Sequence, residues 1–222
     1  MKTLKKIAVL VSGSGSNLQA IIDSIKNGYI KNTVISVVLS NNPDAFGIKR
    51  AQKAGIPVSV IEHSKFETRE NFEKELVDTL KKYEVNYVIL AGFMRVLTNY
   101  FISAFKNRIL NIHPALLPSF PGVDAQKQAF DYGVKFSGCT VHFVDEGTDT
   151  GPIIVQAVVP VLEQDTEESL KKRILAQEHK IYPYAIKLLV EEKLAIVGNK
   201  VKLINQDIDN LKDMFIINPY AY

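Results

Sequence analysis

Only four histidines stand among the 222 residues, and one of them sits where a proton carrier could be used. His113 ends the run Ile109-Leu-Asn-Ile-His113, and Pro114 follows it. Side chains alternate along an extended segment, so Asn111 and His113 share a face while Leu110 and Ile112 take the other. Two positions along a strand is roughly 6.5 Å between Cα atoms. Proline disfavours helix at the residue before it, so the extended form persists to the histidine. A polar pair on an otherwise apolar strand is costly unless it is satisfied or used. His113 is the natural proton carrier there; the plain alternative is a core histidine bonded to a backbone carbonyl. Three acids compete to be its partner. Asp145 and Glu146 follow a strand-like run, and Asp149 lies in Gly147-Thr-Asp-Thr-Gly151, where glycines permit an unusual loop path. On the residues alone, a solvated turn acid is the stronger reading of each. His142 alternates with Val141 and Phe143, so it faces either the core or the site. His63 and His179 look like surface or helix residues. None of the four histidines has metal-ligand spacing, so no metal is expected.

A second cluster is Ser12-Gly-Ser-Gly-Ser-Asn17, which ends one apolar run and opens a helical pattern. Free backbone N–H groups and the positive end of the helix dipole make such a turn an anion site. Gly13 and Gly15 let an anion approach the backbone, and Ser14, Ser16 and Asn17 add side-chain donors. A dinucleotide fingerprint needs a third glycine, but Leu18 stands there, and it needs an acid near the end of the second strand, which reads Leu39-Ser-Asn-Asn42. A P-loop needs a lysine that the turn lacks. A monophosphate or similar small anion remains, against a tight turn with no ligand.

These clusters need elements to hold them. The run Ile7-Ala-Val-Leu-Val11 reads as a strand covered on both faces. Helical spacing over 17–26, a strand at 34–39, a helix over 45–54, a strand at 58–61, a helix over 67–83, a strand at 87–91, a short helix near 99–105 and a strand at 109–113 follow. This alternation predicts an α/β fold: an open, mostly parallel twisted sheet with right-handed crossovers and helices on both faces. The ligand crevice of such a sheet lies at the carboxyl ends of its strands, where the glycine turn, Ala91-Gly-Phe-Met-Arg95 and His113 all fall. After residue 113 the pattern changes, and a Pro/Gly-rich loop covers 114–122. Strand-like runs at 140–144 and 153–161 extend the sheet, antiparallel. Asp165 is expected to cap a long helix with Glu168 three residues on, running to about 192 and interrupted at Pro183. A hairpin turns at Gly198-Asn199. One domain, 1–205, is expected, with a C-terminal tail at 206–222.

Composition narrows the classes. Apolar residues are 46% and charged residues 23%, as in a chain with a real core. A net charge of +3 is too small to argue for nucleic acid and fits an anionic small molecule. Cys139 is the single cysteine, which excludes an internal disulfide and makes a reducing compartment the default. No apolar run reaches the ~18 residues of a membrane span. The basic start, residues 1–6, precedes an apolar stretch shorter than the ~7–15 residues of a secretory core segment.

The motifs Gly13-Ser-Gly-Ser-Asn17, Leu90-Ala-Gly-Phe-Met-Arg95, Asn111-Ile-His-Pro-Ala-Leu-Leu-Pro118, Asp149-Thr-Gly-Pro152 and Gln177-Glu-His179 stand in this order from about residue 6 to 198. In them the chain resembles the folate-dependent phosphoribosylglycinamide formyltransferase family, whose fold is a Rossmann-like formyltransferase domain. The resemblance implies formyl transfer from 10-formyltetrahydrofolate, a co-substrate, to the amine of 5-phosphoribosylglycinamide. It implies that Gly15, Ser16 and Asn17 hold the ribose phosphate and that Glu178 binds the glycinamide substrate. Arg69 and Met94, Arg95, Val96 and Leu97 would line the folate pocket, the last four largely through backbone groups and apolar contact. Asn111, His113 and Asp149 would be the catalytic set, with Asn111 also against the formyl-folate. In that role the amide and an imidazolium donate to the developing oxyanion, and a donor so placed is worth on the order of 3 kcal/mol. Asp149 would raise the histidine's pKa and could take the proton the amine sheds. The partners implied are small molecules, with no nucleic acid and no membrane, for a cytoplasmic monomer or homodimer. One departure stands in the loop over 114–133, which the resemblance makes mobile and places over the site: Asp124 occupies a position where the family usually has His or Asn.

A formyltetrahydrofolate hydrolase shares the trio but is expected to need a regulatory domain before the first strand. A methionyl-tRNA formyltransferase needs an RNA-binding domain and a basic surface. A nucleotide-sugar formyltransferase is opposed only by the phosphate turn. A non-catalytic phosphate-binding module leaves Asn111 and His113 unexplained, and a nicotinamide oxidoreductase is opposed by Leu18.

Overall fold

The computed structural model describes residues 3–204; the tail expected at 206–222 lies outside the described residues. The chain forms two compact units. One holds the residues up to Asn111 together with Phe143–Gly147, and the other holds Ile112–His142 and the residues from Thr148 onward.

The first unit is built on parallel strands. β1 (Lys5–Val11) pairs with β2 (Thr33–Ser40) on one side and β4 (Tyr87–Leu90) on the other. β2 pairs with β3 (Val58–Val60), and β4 with β5 (Ile109–His113). Ile7 to Val11 are wholly buried, as a continuous apolar run in a doubly covered strand must be. The crossovers are α1 (Ser16–Lys26), α2 (Phe46–Lys53), α3 (Arg69–Lys82) and the short α4 (Asn99–Ala104). Phe72, Leu76 and Leu80, read from helical spacing, pack with Phe101, Phe105, Leu10 and Leu90 in one cluster. Each boundary lies within two residues of its sequence expectation.

The second unit contains α5 (Ala125–Tyr132), β6 (Phe136–Phe143), β7 (Ile153–Pro160), α6 (Glu167–Val190), β8 (Leu194–Val197) and β9 (Lys200–Leu203). β6 and β7 are antiparallel, from Phe136↔Pro160 to His142↔Ile153. Gly138 is obligatory in this pair, because a Cβ there would stand 1.9 Å from the carbonyl oxygen of Ala157. Cys139 and Val159 pack beneath Leu170 and Ile174 of α6. β8 and β9 form the expected antiparallel hairpin. Strand order through the hydrogen-bonded sheet is β3-β2-β1-β4-β5-β6-β7, so the open, mostly parallel sheet with an antiparallel C-terminal portion is as expected.

Three local expectations change. α5 was not foreseen: its buried positions are Ala125 and Ala129, too small to give an apolar periodicity. α6 is capped by Thr166 rather than Asp165, in a capping box with Ser169 rather than Glu168. Asp165 is drawn off by a stronger partner, a two-pronged pair with Arg173 at 2.6 and 2.8 Å. α6 also runs unbroken through Pro183. There, burial of Tyr182, Ala185 and Ile186 outweighs the missing backbone bond.

Candidate active site

Register places the ends of three parallel strands in a row in the first unit: Leu10 lies beside Leu90, and Leu90 beside Asn111. Neighbouring strands are about 4.8 Å apart. The segments leaving these ends are the glycine turn after β1, residues 91–98 after β4, and His113, two positions beyond Asn111 on β5.

The turn is shaped by backbone constraint. Gly15 has φ +67°, and a Cβ there would stand 2.5 Å from the Cα of Gly47. Glycine answers both demands. Gly47, at the start of α2, donates its N–H to the carbonyl of Gly13 at 3.0 Å. Arg50 braces the outside, its Nε donating to the Ser14 carbonyl at 2.9 Å while its guanidinium lies 5.0 Å over the Phe46 ring. No side chain caps the start of α1. Gly15 and Asn17 are buried and Ser16 half-buried at that helix terminus, the kind of place where backbone N–H groups can meet an anion. Gly47 and Arg50 were missed in the sequence, because nothing local ties α2 to the turn.

Residues 94–97 form no helix or strand. Met94 and Val96 are 73% and 61% exposed, whereas Leu97 is buried in the core cluster. Arg95 is half-buried. Arg69 is exposed as the first residue of α3, where a cation opposes the helix dipole.

In the second unit, His113 is 4% exposed and held at both ring nitrogens. Its Nε2–H donates to the Phe120 carbonyl at 2.8 Å, and Nδ1 lies 3.3 Å from Oδ2 of Asp149. The other carboxylate oxygen of Asp149 lies 3.6 Å from Nε2 of His142, and the Gly122 N–H donates to Oδ2 at 2.8 Å. Asp149 thus stands between two buried imidazoles, and it adopts φ +57° to do so. His142, left open between core and site by its sequence, faces the carboxylate. Burial pushes the Asp149 pKa up, but His142, the Gly122 N–H and His113 together outweigh it and hold the carboxyl below its usual value. For His113 the balance differs from expectation. Burial lowers its pKa, and this outweighs the opposing pull of the Phe120 carbonyl and of Asp149, so the net shift is downward.

The loop after Pro114 is stitched to the strands below. Thr140 Oγ1 donates to the Ala115 carbonyl at 2.7 Å and accepts from the Leu117 N–H at 3.1 Å. A cavity of about 690 Å³ opens beside Asp149, walled by Leu117, Pro121, Ile153, Lys200 and Val201. Glu178 is 6% exposed on α6, close enough for its charge to help burial push the Cys139 thiol up. Asn111 is half-buried. No cluster able to hold a metal ion is found among the described residues, nor any helix long and apolar enough to cross a membrane.

Comparison with known proteins gives a consistent picture. The formyl transferase family signature matches residues 5–186. The chain is 45% identical over 200 residues to the Escherichia coli K12 protein named phosphoribosylglycinamide formyltransferase, covering 90% of this chain and 94% of that one. It is 51% identical over 189 residues to the Drosophila melanogaster trifunctional purine biosynthetic protein adenosine-3, covering 84% of this chain but 14% of that one, so it spans about a seventh of that relative's length. The crystal structure of glycinamide ribonucleotide transformylase 1 from Symbiobacterium toebii superposes with a TM-score of 0.89 at 50% identity, over 91% of this chain and 95% of that one. With the signature spanning most of the sequence, the chain belongs to the formyl transferase family.

Proposed function

We propose that the chain transfers the formyl group of 10-formyltetrahydrofolate to the amine of 5-phosphoribosylglycinamide, giving formylglycinamide ribonucleotide and tetrahydrofolate in purine biosynthesis. The observation that carries this reading is the buried His113–Asp149 pair at 3.3 Å, two residues beyond Asn111 on one strand. Near-complete coverage of the Escherichia coli relative of that name supports it. The ribose phosphate sits at Gly15, Ser16 and Asn17, and Glu178 engages the glycinamide part. Arg69, Met94, Arg95, Val96 and Leu97 line the folate site, with Asn111 against the formyl group.

In the reaction the amine nitrogen bonds to the formyl carbon, and the carbonyl oxygen becomes an oxyanion that the Asn111 amide and the His113 imidazolium stabilise. The bond from that carbon to the folate nitrogen then breaks, and His113 supplies the proton that nitrogen takes. The amine sheds its own proton to solvent. Asp149, held below the usual carboxylate range, is a weak base; its part is to stay charged and stabilise the imidazolium. The Nε2–H of His113 is committed to the Phe120 carbonyl here, so the 118–122 turn must yield it when substrate binds. The domain is 1–205, acting on small molecules in the cytoplasm as a monomer or homodimer, with no resident metal. A formyl-transfer assay with phosphoribosylglycinamide and with water as sole acceptor tests the reading. Product formylated at the glycinamide nitrogen is expected. Tetrahydrofolate and formate released at the same rate without the amine would make the chain a hydrolase.

A further inference from the structure

One serine in the first unit touches both of the segments assigned above to different substrates. Ser12 is the residue between β1 and the Gly13–Asn17 turn. Its N–H donates to the Gly92 carbonyl at 2.9 Å. Its Oγ accepts the Met94 N–H at 2.8 Å and donates to Oδ1 of Asn41 at 2.6 Å. The Asn42 amide donates to the Ser12 carbonyl at 3.2 Å. Asn41 is itself buried and bonded, through its amide nitrogen, to Nδ1 of His63 at 3.3 Å. The hydroxyl's single proton is therefore spent on Asn41 and one of its two lone pairs on the Met94 N–H. The far end of the same segment is held as firmly. Glu73 of α3, 1% exposed, accepts the Thr98 N–H at 2.8 Å and the Thr98 hydroxyl. Residues 94–97, with neither helix nor strand bonds of their own, hang between these two anchors.

We propose that Ser12 is a positioning residue that couples the two substrate sites, because one side chain fixes the Met94 end of the folate-lining segment and its own backbone opens the phosphate turn. An anion ordering the turn orders Ser12, and Ser12 then presents residues 95–97 in the conformation that the formyl donor meets. The Met94 N–H is spent on Ser12, so backbone recognition of the folate falls to Arg95, Val96 and Leu97. Deleting the hydroxyl removes the partner of the Met94 N–H and of the Asn41 oxygen together.

The inference rests on the formyl-transfer reading, and its test separates the two. Tetrahydrofolate binding is measured by calorimetry with and without saturating phosphoribosylglycinamide, and steady-state kinetics are run alongside. For the unaltered protein the acceptor is expected to tighten tetrahydrofolate binding. In Ser12→Ala that tightening is lost, and the formyl-folate KM rises roughly five- to tenfold, as expected for the loss of one hydrogen bond, with saturated turnover changing far less. Ser12→Thr, which keeps the hydroxyl, returns KM toward the starting value. Glu73→Gln, at the other anchor, raises the folate KM while leaving the coupling in place, and it serves if Ser12→Ala fails to fold. An active parent enzyme with no acceptor–folate coupling, or a Ser12→Ala variant that keeps it, overturns the proposal. An inactive parent enzyme overturns the function reading instead.

Discussion

At the level of single residues, His113 is pulled two ways. Burial favours its neutral form, while Asp149 and the Phe120 carbonyl favour the charged one. Burial wins, so the free enzyme's imidazole titrates below the ordinary value near 6.5. Removing the charge in Asp149→Asn takes away part of the opposing pull, and the His113 pKa is expected to fall further. NMR titration of the imidazole measures this, and the alkaline limb of the kcat/KM profile, where the required imidazolium is lost, should move to lower pH with it. An unmoved titration would deny Asp149 its electrostatic part. His113→Ala should cut turnover by about 10²–10⁴, the usual worth of a positioned proton donor, while phosphoribosylglycinamide affinity stays within a few-fold. Equal losses in affinity and none in single-turnover rate would take His113 out of the chemistry. The strand carrying these groups was legible because alternation and Pro114 are local facts. The direction of the pKa shift was not, since it depends on how much of the chain folds over the ring. Asp124, the departure from the family pattern, is also explained at this level. It adopts φ +54°, a region where Asp, Asn and His are all enriched.

At the level of elements, the glycine turn after β1 depends on a neighbour that its own sequence does not name. Gly15 is needed for its left-handed φ and for the 2.5 Å approach of its would-be Cβ to the Gly47 backbone. The obstacle is backbone, which cannot rotate aside, so α2 must shift. Gly15→Ala is expected to lose at least about 1–2 kcal/mol from the backbone conformation alone, and to raise the phosphoribosylglycinamide KM more than the folate KM. Urea denaturation and the two KM values check this; equal effects on both substrates would argue against a phosphate at this turn. α6 teaches the complementary lesson. Asp165 was legible as a residue of the helix start, but its function there is the paired contact with Arg173, which also reaches the Pro160 carbonyl at 2.9 Å. Asp165→Ala strands the guanidinium and the Leu162 N–H, and should cost about 2–3 kcal/mol. Thr166→Ala, which removes only the cap, should cost about 1 kcal/mol.

For the molecule as a whole, legibility follows how far apart in sequence the deciding contacts lie. Up to residue 113 the elements are long, periodic and punctuated by glycine and proline, and each boundary could be read in place. From 114 to 160 the chain is arranged by distant partners: Thr140 holds the 115–117 segment, and Asp149 is held by Gly122 and two histidines. No local pattern predicts such pairings. The same buried groups set how the fold responds to acid. His113 has a lowered pKa, so the unfolded chain binds its proton more readily and stability rises with pH. Its full contribution is present above about 6.5 and is lost as pH falls from there toward the folded value. Asp149 and Asp165 are also lowered, so their contributions hold above the ordinary carboxylate value near 3.9 and are lost as pH falls below it. Both groups act in the same direction but in separate windows. Urea midpoints measured from pH 8 to pH 3 should therefore fall in two stages. His113→Asn should flatten the upper stage, and Asp165→Asn should weaken the lower one while leaving the upper stage in place. A single steep loss near pH 4 in the unaltered protein, with no decline between pH 7 and 5, would mean that burial does not keep His113 neutral.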